Sequence, residues 1–323
     1  MLDRRALISG ATASGLGALL PRPGRAQAIA QLQLFVPSAP GGGWDQTTRT
    51  MEQVLRAEKL INTAQVTNVA GAGGSVGLPQ FVNQWKGRPN ALIMGGMNMI
   101  GALVANKTPV KLSQTVPIAR ITAEFQALVA PAASPFRSAQ DFVVALQTDP
   151  AKTPVAGGSA GGADHILLGM IAKEAGVPAA KLNYVPYAGG GQAVAALLGD
   201  QMPAGISGYG EFAEQIKAGK LRLLAISADR RQPGIDAPTL KEQGIAVELF
   251  NWRGVFAPPG IKDDQRAALI ALMEKMQASA AWAEELKRRE WTPYFLAGDA
   301  FGRFVEQETV RIEAVMKDLG LAA

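Results

Sequence analysis

The 323-residue chain contains no cysteine and a single histidine, His165. Without cysteine it can form no disulfide and offers no thiolate to a metal, and one histidine is too few for a Cys/His zinc site. Neither Gly-Lys-Ser nor Gly-Lys-Thr occurs, which excludes a P-loop for nucleotide phosphates. We therefore expect no metal and no cofactor.

The presence of only one histidine argues against an enzyme. Residues 157–161 read Gly-Gly-Ser-Ala-Gly, the G-x-S-x-G spacing of a hydrolase nucleophile, with Ser159 at its centre. A hydrolase needs a histidine base from a distant loop, whereas His165 follows only six residues later in the same helix start. No Gly-x-Gly-x-x-Gly follows the first predicted strand, which argues against dinucleotide binding. The sequence predicts no catalysis and leaves a hydrolase only as a third alternative.

Excess charge of either sign is also lacking. The formal net charge of +5 falls to +2 once residues 1–28, with four basic residues and one acidic residue, are set aside. The densest basic cluster, at residues 287–289, is flanked by glutamates and forms no basic patch or stripe. We expect no nucleic-acid partner.

The first 28 residues have the pattern of an export signal. Arg4 and Arg5 precede a short apolar stretch at residues 7–20, and an Ala-Gln-Ala cleavage site ends at Ala28. The stretch is shorter than the ~20 apolar residues that span a bilayer. The paired arginines predict a twin-arginine signal cleaved after Ala28, with an ordinary secretory signal as the alternative. We expect a periplasmic protein without a lipid anchor.

Strands and helices alternate along the remainder. Strands are predicted near residues 32–36, 65–69, 91–94, 127–131, 153–156, 182–186, 202–206 and 221–227, and helices near 44–58, 75–85, 138–146, 163–175, 192–198, 262–289 (broken near Ser279) and 299–318. This repetition predicts an α/β fold of parallel sheets covered by helices. We expect a signal at 1–28, a first lobe from 29–127 plus 251–323, and a second lobe from 128–250.

Four glycine-rich turns, at residues 40–45, 70–75, 157–162 and 187–191, each follow a predicted strand and open a predicted helix. Glycine lets a backbone approach a ligand closely, and free N–H groups at a helix start attract anions. Ligands of open parallel sheets bind outside the carboxyl ends of the strands, where these turns fall. The pattern predicts a receptor that grips a small organic anion between two lobes.

Side chains beside these turns are candidate contacts. Serine hydroxyls can donate to a carboxylate, although helix capping explains each serine as well. Asp45 fits loop ordering better than ligation, and Arg253 fits a surface position better than a ligand clamp. Trp44, His165 and the tyrosines either line the site or pack in the fold. The predicted ligand-binding residues are Ser38, Gly41, Gly42, Gly43, Trp44, Asp45, Gly73, Gly74, Ser75, Ser159, Gly161, Gly162, Asp164, His165, Tyr187, Gly190, Ser207 and Tyr209.

The motifs and their order resemble the Bug-type substrate-binding proteins of tripartite tricarboxylate transporters. The resemblance rests on Pro-Gly-Gly-Gly-Trp-Asp at 40–45, Gly-Ala-Gly-Gly-Ser-Val-Gly at 71–77, Asp-His at 164–165, Tyr-Ala-Gly-Gly-Gly at 187–191 and Trp-Arg-Gly-Val-Phe at 252–256. The first motif looks most like the tricarboxylate-binding branch, although the commoner form has two glycines and no tryptophan.

The resemblance implies a two-lobed, type II periplasmic-binding-protein fold (a Venus flytrap), each lobe a mainly parallel sheet flanked by helices. It implies that Ser38 and residues 41–45, 159–165 and 187–191 grip a carboxylate, with residues 71–75 lining the cleft. We expect a monomeric receptor for citrate, another tricarboxylate or a dicarboxylate, which delivers its ligand to one small and one large membrane subunit. The alternative is a periplasmic carboxylate sensor that signals to a membrane kinase.

Overall fold

The computed structural model describes residues 29–187 and 190–322, so the predicted export signal lies outside the described residues. The strands described are β1 (Gln31–Val36), β2 (Thr63–Asn68), β3 (Ala91–Gly96), β4 (Val116–Pro131), β5 (Val155–Gly157), β6 (Tyr184–Pro186), β7 (Ala204–Gly208), β8 (Leu221–Ile226), β9 (Phe250–Ala257) and β10 (Thr292–Ala297). The α-helices described are α1 (Gly43–Ala57), α2 (Gly77–Gln84), α3 (Met97–Ala105), α4 (Ala139–Thr148), α5 (Ala163–Glu174), α6 (Gly190–Leu198), α7 (Tyr209–Lys217), α8 (Asp263–Gln277), α9 (Ala280–Arg288) and α10 (Gly298–Asp318).

The strands pair in the order β2-β1-β3-β9-β4-β7-β5-β6, and β8 and β10 also pair with β4. Strand β1 is parallel to β2 and β3, and β5 is parallel to β6 and β7. The pairs that involve β4 or β9 are antiparallel. Each end of the sheet therefore has the parallel strand–helix arrangement predicted from the sequence, joined through two antiparallel crossing strands.

Strand β4 connects the two lobes. Up to Phe125, which lies opposite Phe250, it pairs with β9 and β10. From Gln126 onwards it pairs with β7 and β8. This changeover lies next to the division predicted at 127/128, and β9 begins at the other predicted boundary. We retain the lobe limits as a proposal.

Side-chain caps explain where two of the helices begin. Ser138 Oγ accepts the Asp141 N–H, and the Asp141 carboxylate accepts the Ser138 N–H, so a capping box starts α4. Ser279 Oγ accepts the Trp282 N–H and starts α9. The predicted break near Ser279 is therefore confirmed.

The sequence pattern does not predict α3, α7, β9 or β10, and it predicts only the last third of β4. Helices α3 and α7 start at the residue directly after β3 and β7, without a separate turn. Helix α3 is almost wholly apolar, and an apolar run of that kind does not reveal its period. Strand followed directly by helix places each helix start at the carboxyl end of its strand.

Two clusters of buried side chains hold the strands and helices together. A large cluster of buried aliphatic and aromatic side chains runs through both lobes, and a smaller one packs α6 and α7 against β4 and β8. Helix α10 reaches from the first lobe onto α5, where Leu319 packs against Gly169 and Asp318 binds Lys173 at 2.6 Å. Of the helices in the described part of the chain, none combines the length and apolar character that a membrane crossing needs.

Candidate ligand-binding site

A cavity of about 800 Å³ lies between the lobes. It is lined by residues that follow β1, β3, β5, β6 and β7, at the carboxyl ends of those strands. Ligands of α/β sheets bind at such an edge. The fold therefore brings segments that are distant in sequence to one crevice.

Five helices direct their first turns at this cavity. The lining residues from these turns are Gly43 and Trp44 of α1, Asn98 of α3, Ala163 and Asp164 of α5, Gly191 of α6, and Gly210 and Glu211 of α7. The residues before α1, α3, α5 and α7 provide no side-chain cap, although Asn98 Oδ1 accepts the first N–H of α5, that of Ala163, at 2.7 Å. Unsatisfied N–H groups and the positive end of each helix dipole favour an anion at this point.

Asp45 orders the glycine turn before α1. Its Oδ2 accepts the Gly41 N–H at 2.8 Å and Arg49 Nε at 2.9 Å, and its Oδ1 accepts the Asn68 amide at 2.9 Å. Gly41 has a φ of +80°, which favours glycine. Burial would raise the pKa of the Asp45 carboxyl, but the hydrogen bonds from Arg49, Gly41 and Asn68 outweigh it and hold the pKa below its usual range. Asp45 is therefore a buried anion that holds the turn.

Asp164 has the equivalent position in the turn before α5. Its Oδ2 accepts the Gly158 N–H at 2.7 Å, and the residue lines the cavity. Burial raises the pKa of Asp164 to about 7, opposed only by the Gly158 hydrogen bond, and the nearby Glu211 and Glu124 raise it further. This carboxyl titrates near neutral pH.

His165 packs behind the same turn. Its ring stacks on Tyr184 with centroids 4.1 Å apart, and its Nδ1 accepts the Gly161 N–H at 3.3 Å. The Tyr184 hydroxyl donates to the Gly158 carbonyl at 2.7 Å. Burial lowers the pKa of His165 to about 4, so the ring is neutral at pH 7. The pair supports the turn from the side away from the cavity.

Arg253 is the buried cation of the cavity wall. Its Nη2 donates to Glu124 Oε2 at 2.7 Å, and its Nη1 donates to Thr47 Oγ1 at 2.7 Å and to the Gly43 carbonyl at 3.3 Å. The guanidinium also lies 5.5 Å from the ring centroid of Trp291. The surface position predicted for Arg253 is therefore wrong, because the residue is buried. Its side chain connects the first turn of α1 to β4.

Polar side chains of β4, β7 and α7 also line the cavity. Glu211 Oε2 accepts the Ser207 hydroxyl at 2.9 Å, and burial of the carboxylate raises its pKa. Gln126 is fully buried, and neither atom of its side-chain amide has a hydrogen-bond partner in the described structure. An unpaired buried amide is costly, so Gln126 marks a place where a ligand or water completes the site.

Charged residues of α7 and of the segment after α9 form the rim. Lys217 lies 3.6 Å from Glu214 and 3.9 Å from Glu290, which belongs to the other lobe. Arg288 and Arg289 are both paired with Glu285. Within the described ranges no group of three or more histidine or acidic side chains is placed to hold a metal ion.

Comparison with known proteins identifies the family. Residues 48–321 match the family model of the tripartite tricarboxylate transporter family receptor. The chain belongs to this receptor family. It is therefore a solute-binding protein and not an enzyme.

Individual relatives agree with this. Protein BugT of Bordetella pertussis is 27% identical over 294 residues, which cover 90% of this chain and 89% of BugT. The structure of MatC from Rhodopseudomonas palustris, solved with bound malate, is 23% identical, with a TM-score of 0.74 and coverage of 88% of this chain and 98% of MatC. A second R. palustris structure, solved with adipate, is 21% identical, with a TM-score of 0.78 and coverage of 90% and 98%. The two-lobed periplasmic-binding-protein fold is thus confirmed.

Ten of the residues predicted from the sequence line the receptor's cavity. They are Ser38, Gly41, Gly42, Gly43, Trp44, Gly73, Ser159, Gly162, Asp164 and Ser207. They come from both lobes and from three of the four glycine turns. Their contact with a ligand stays a prediction.

Seven of the other eight predicted residues are not in the cavity lining. Asp45 and His165 hold the glycine turns through hydrogen bonds with Gly41 and Gly161. Gly74 packs against Trp44, and the Ser75 hydroxyl donates to the Ala72 carbonyl. Tyr209 is buried against Phe125, and the Tyr187 N–H donates to the Gly157 carbonyl. The eighth residue, Gly190, begins α6 next to Gly191, which lines the cavity.

Several residues that line the cavity are not predicted from the sequence. The most consequential are Asn98, Glu124, Gln126, Asn251 and Trp291, to which Arg253, expected at the surface, is added. For Glu124 and Gln126 a signal exists: they are polar residues two apart in the otherwise apolar second half of β4, and thus on one face. For Arg253 and Trp291 the position depends on long-range strand pairing that no local pattern reveals.

Proposed function

We propose that the chain is a periplasmic receptor that binds a small carboxylate, with citrate, another tricarboxylate or a dicarboxylate as the favoured ligand. It delivers the ligand to a tripartite tricarboxylate transporter with one small and one large membrane subunit. The receptor acts as a monomer and is exported by the twin-arginine signal predicted at residues 1–28, cleaved after Ala28.

The observation that carries this proposal is the convergence of five helix starts from both lobes on one cavity. Each N–H donor to a carboxylate contributes about 2 kcal/mol, so a few suffice for micromolar affinity. Shielding from water between the lobes strengthens each of these bonds. The malate and adipate in the two related structures are carboxylates of the expected size.

Calorimetric titration tests the proposal. The titrants are citrate, tricarballylate, malate, succinate and adipate, together with the 2-amino acids of matching length. We expect micromolar binding of at least one of them. Absence of heat and of a thermal shift with every carboxylate would contradict the proposal.

A blocking variant shows whether binding occurs in this cavity. Gly210 lines it, and a Cβ at Gly210 would meet nothing within 4 Å, so Gly210→Leu projects a side chain into open space. We expect a loss of affinity of more than about tenfold, the equivalent of ~1.4 kcal/mol. The matched control is Gly302→Leu in α10, away from the cavity, where the nearest atom to a Cβ is 3.9 Å away. Equal affinity in both variants would place the site elsewhere.

A further inference from the structure

The charges inside the cavity do not match a purely anionic ligand. Glu124, Asp164 and Glu211 all line it, whereas the buried cation Arg253 is already bound by Glu124. The basic side chains at the rim are paired with Glu214, Glu285 and Glu290. A dicarboxylate placed among these groups would meet more negative than positive charge.

Two of these carboxylates flank a single point, the start of α7. Glu211 is in the first turn of α7, and a Cβ on Gly208, the residue before that helix, would lie 3.1 Å from Glu124 Oε2. Gln126 pairs with Gly208 across β4 and β7. Among the described residues, Oε1 of Glu124 and Oε1 of Glu211 accept no hydrogen bond. Unused acceptors and the orphan amide of Gln126 thus surround Gly208.

Ordinary structural roles account for only part of this set. An acidic residue in the first turn of a helix complements its dipole, which explains Asp164 and Glu211. Glu124 is on a strand, so no helix dipole explains it, and Arg253 occupies only one of its oxygens. The buried amide of Gln126 has no partner at all within the described structure. The cavity therefore holds hydrogen-bond acceptors that the described residues do not satisfy and that a ligand or water can.

We propose that Glu124, Gln126 and Glu211 form a second subsite that binds a cationic nitrogen, so that the ligand is a carboxylate carrying an ammonium group. The proposal rests on the proposed function, because the ligand's carboxylate binds at the helix starts. The ammonium group donates to the free oxygens of Glu124 and Glu211 and to the amide oxygen of Gln126. Each N–H donor then meets an acceptor, and the excess negative charge of the cavity is neutralised.

Matched ligand pairs test this subsite by calorimetry at pH 7.5. The pairs are succinate with aspartate, glutarate with glutamate, and adipate with 2-aminoadipate, whose members differ only by the ammonium group. We expect the amino member of at least one pair to bind roughly tenfold tighter or more than its partner, as for a charge-assisted hydrogen bond. Tighter binding of the dicarboxylate in every pair would overturn the second subsite while leaving the carboxylate receptor intact. Binding of citrate or tricarballylate with no binding by any member of the pairs would also overturn the second subsite, whereas absence of binding by every one of these carboxylates would overturn the proposed function itself.

Variants distinguish binding at this subsite from an effect of the protein's overall charge. Glu211→Gln is isosteric, keeps an acceptor for the Ser207 hydroxyl and removes only the charge, so the fold is preserved. We expect the preference for the amino member to fall about tenfold in Glu211→Gln and in Glu124→Gln. Glu174→Gln, an exposed carboxylate at the far end of α5, is the matched control and leaves the preference unchanged. An unchanged preference in Glu211→Gln would overturn the subsite.

Discussion

The turns that precede α1 and α5 share one device and differ in its electrostatics. In each, an aspartate in the first helical turn accepts an N–H from the glycine loop before it, Asp45 from Gly41 at 2.8 Å and Asp164 from Gly158 at 2.7 Å. Asp45 receives two further donors, Arg49 and Asn68. Asp164 receives no other donor from the described residues and has glutamates as neighbours.

The pKa values of the two aspartates are therefore shifted in opposite directions. The pKa of Asp45 is lowered, whereas burial raises that of Asp164 to about 7. Both carboxyls lie at the positive end of a helix, so the helix dipole does not decide between them. The number of hydrogen-bond donors and the sign of the neighbouring charges set the direction of each pKa shift. Asp45 is therefore charged at neutral pH, whereas the charge of Asp164 changes with pH near 7.

The largest expected loss of stability at neutral pH comes from removing the Asp45 carboxylate. Asp45→Ala leaves Gly41, Asn68 and Arg49 without their acceptor, and we expect a loss of about 3 kcal/mol in the free energy of unfolding at pH 7. Carboxylate affinity should fall as well, because the glycine turn loses its support. Urea unfolding and calorimetry measure the two effects.

The matched control for Asp45→Ala is Asp299→Ala. Asp299 is also in a first helical turn and binds Arg266 at 2.8 Å, but its side chain is 78% exposed. An exposed pair of this kind contributes less than about 1 kcal/mol. Equal losses in Asp45→Ala and Asp299→Ala would show that helix dipoles, and not the buried hydrogen bonds, stabilise the turn.

The second effect is a pH dependence caused by Asp164. Its pKa in the folded protein, about 7, exceeds the ordinary value of 3.8, so the folded state retains a proton that the unfolded state has lost. Stability is therefore lost as pH rises from about 4 to 7. Asp164→Asn keeps an oxygen for the Gly158 N–H and cannot ionise. We expect its stability relative to wild type to rise by roughly 4 kcal/mol between pH 4 and pH 8.

Urea unfolding of wild type and Asp164→Asn at several pH values measures this difference. Other titrating groups, including His165, are present in both proteins and cancel in the comparison. Asp45→Asn is the reciprocal variant, since the pKa of Asp45 is lowered. Its stability relative to wild type should fall as pH rises through the range in which Asp45 ionises, up to about 4, and stay constant above it. A difference for Asp164→Asn that does not change with pH would contradict the comparison.

Local chemistry explains why the two turns could be predicted from the sequence and other parts of the site could not. Glycine between a strand and a helix is a short-range pattern, so Gly42, Ser159 and Gly162 were predictable members of the cavity lining. Arg253 and Glu124 meet only because β9 pairs with β4, more than 120 residues away in sequence. Helices α3 and α7 lacked a turn signal, and with them Asn98 and Glu211 were missed. The fold class could be predicted because strands and helices alternate along the sequence. The polar wall of the cavity could not, because it depends on how strands distant in sequence pair.

The smallest expected effect concerns the ring behind the second turn. His165→Phe retains an aromatic ring to stack on Tyr184 but removes the acceptor for the Gly161 N–H, so we expect a loss of about 1 kcal/mol at pH 7. Burial lowers the pKa of His165 to about 4, below the ordinary 6.5, so wild type loses stability as pH falls from 6.5 to 4, whereas the variant does not. The deficit of His165→Phe should therefore shrink and then reverse on acidification, measured by urea unfolding between pH 4 and pH 7. A deficit independent of pH would mean that the imidazole is protonated as readily in the folded chain as in the unfolded one.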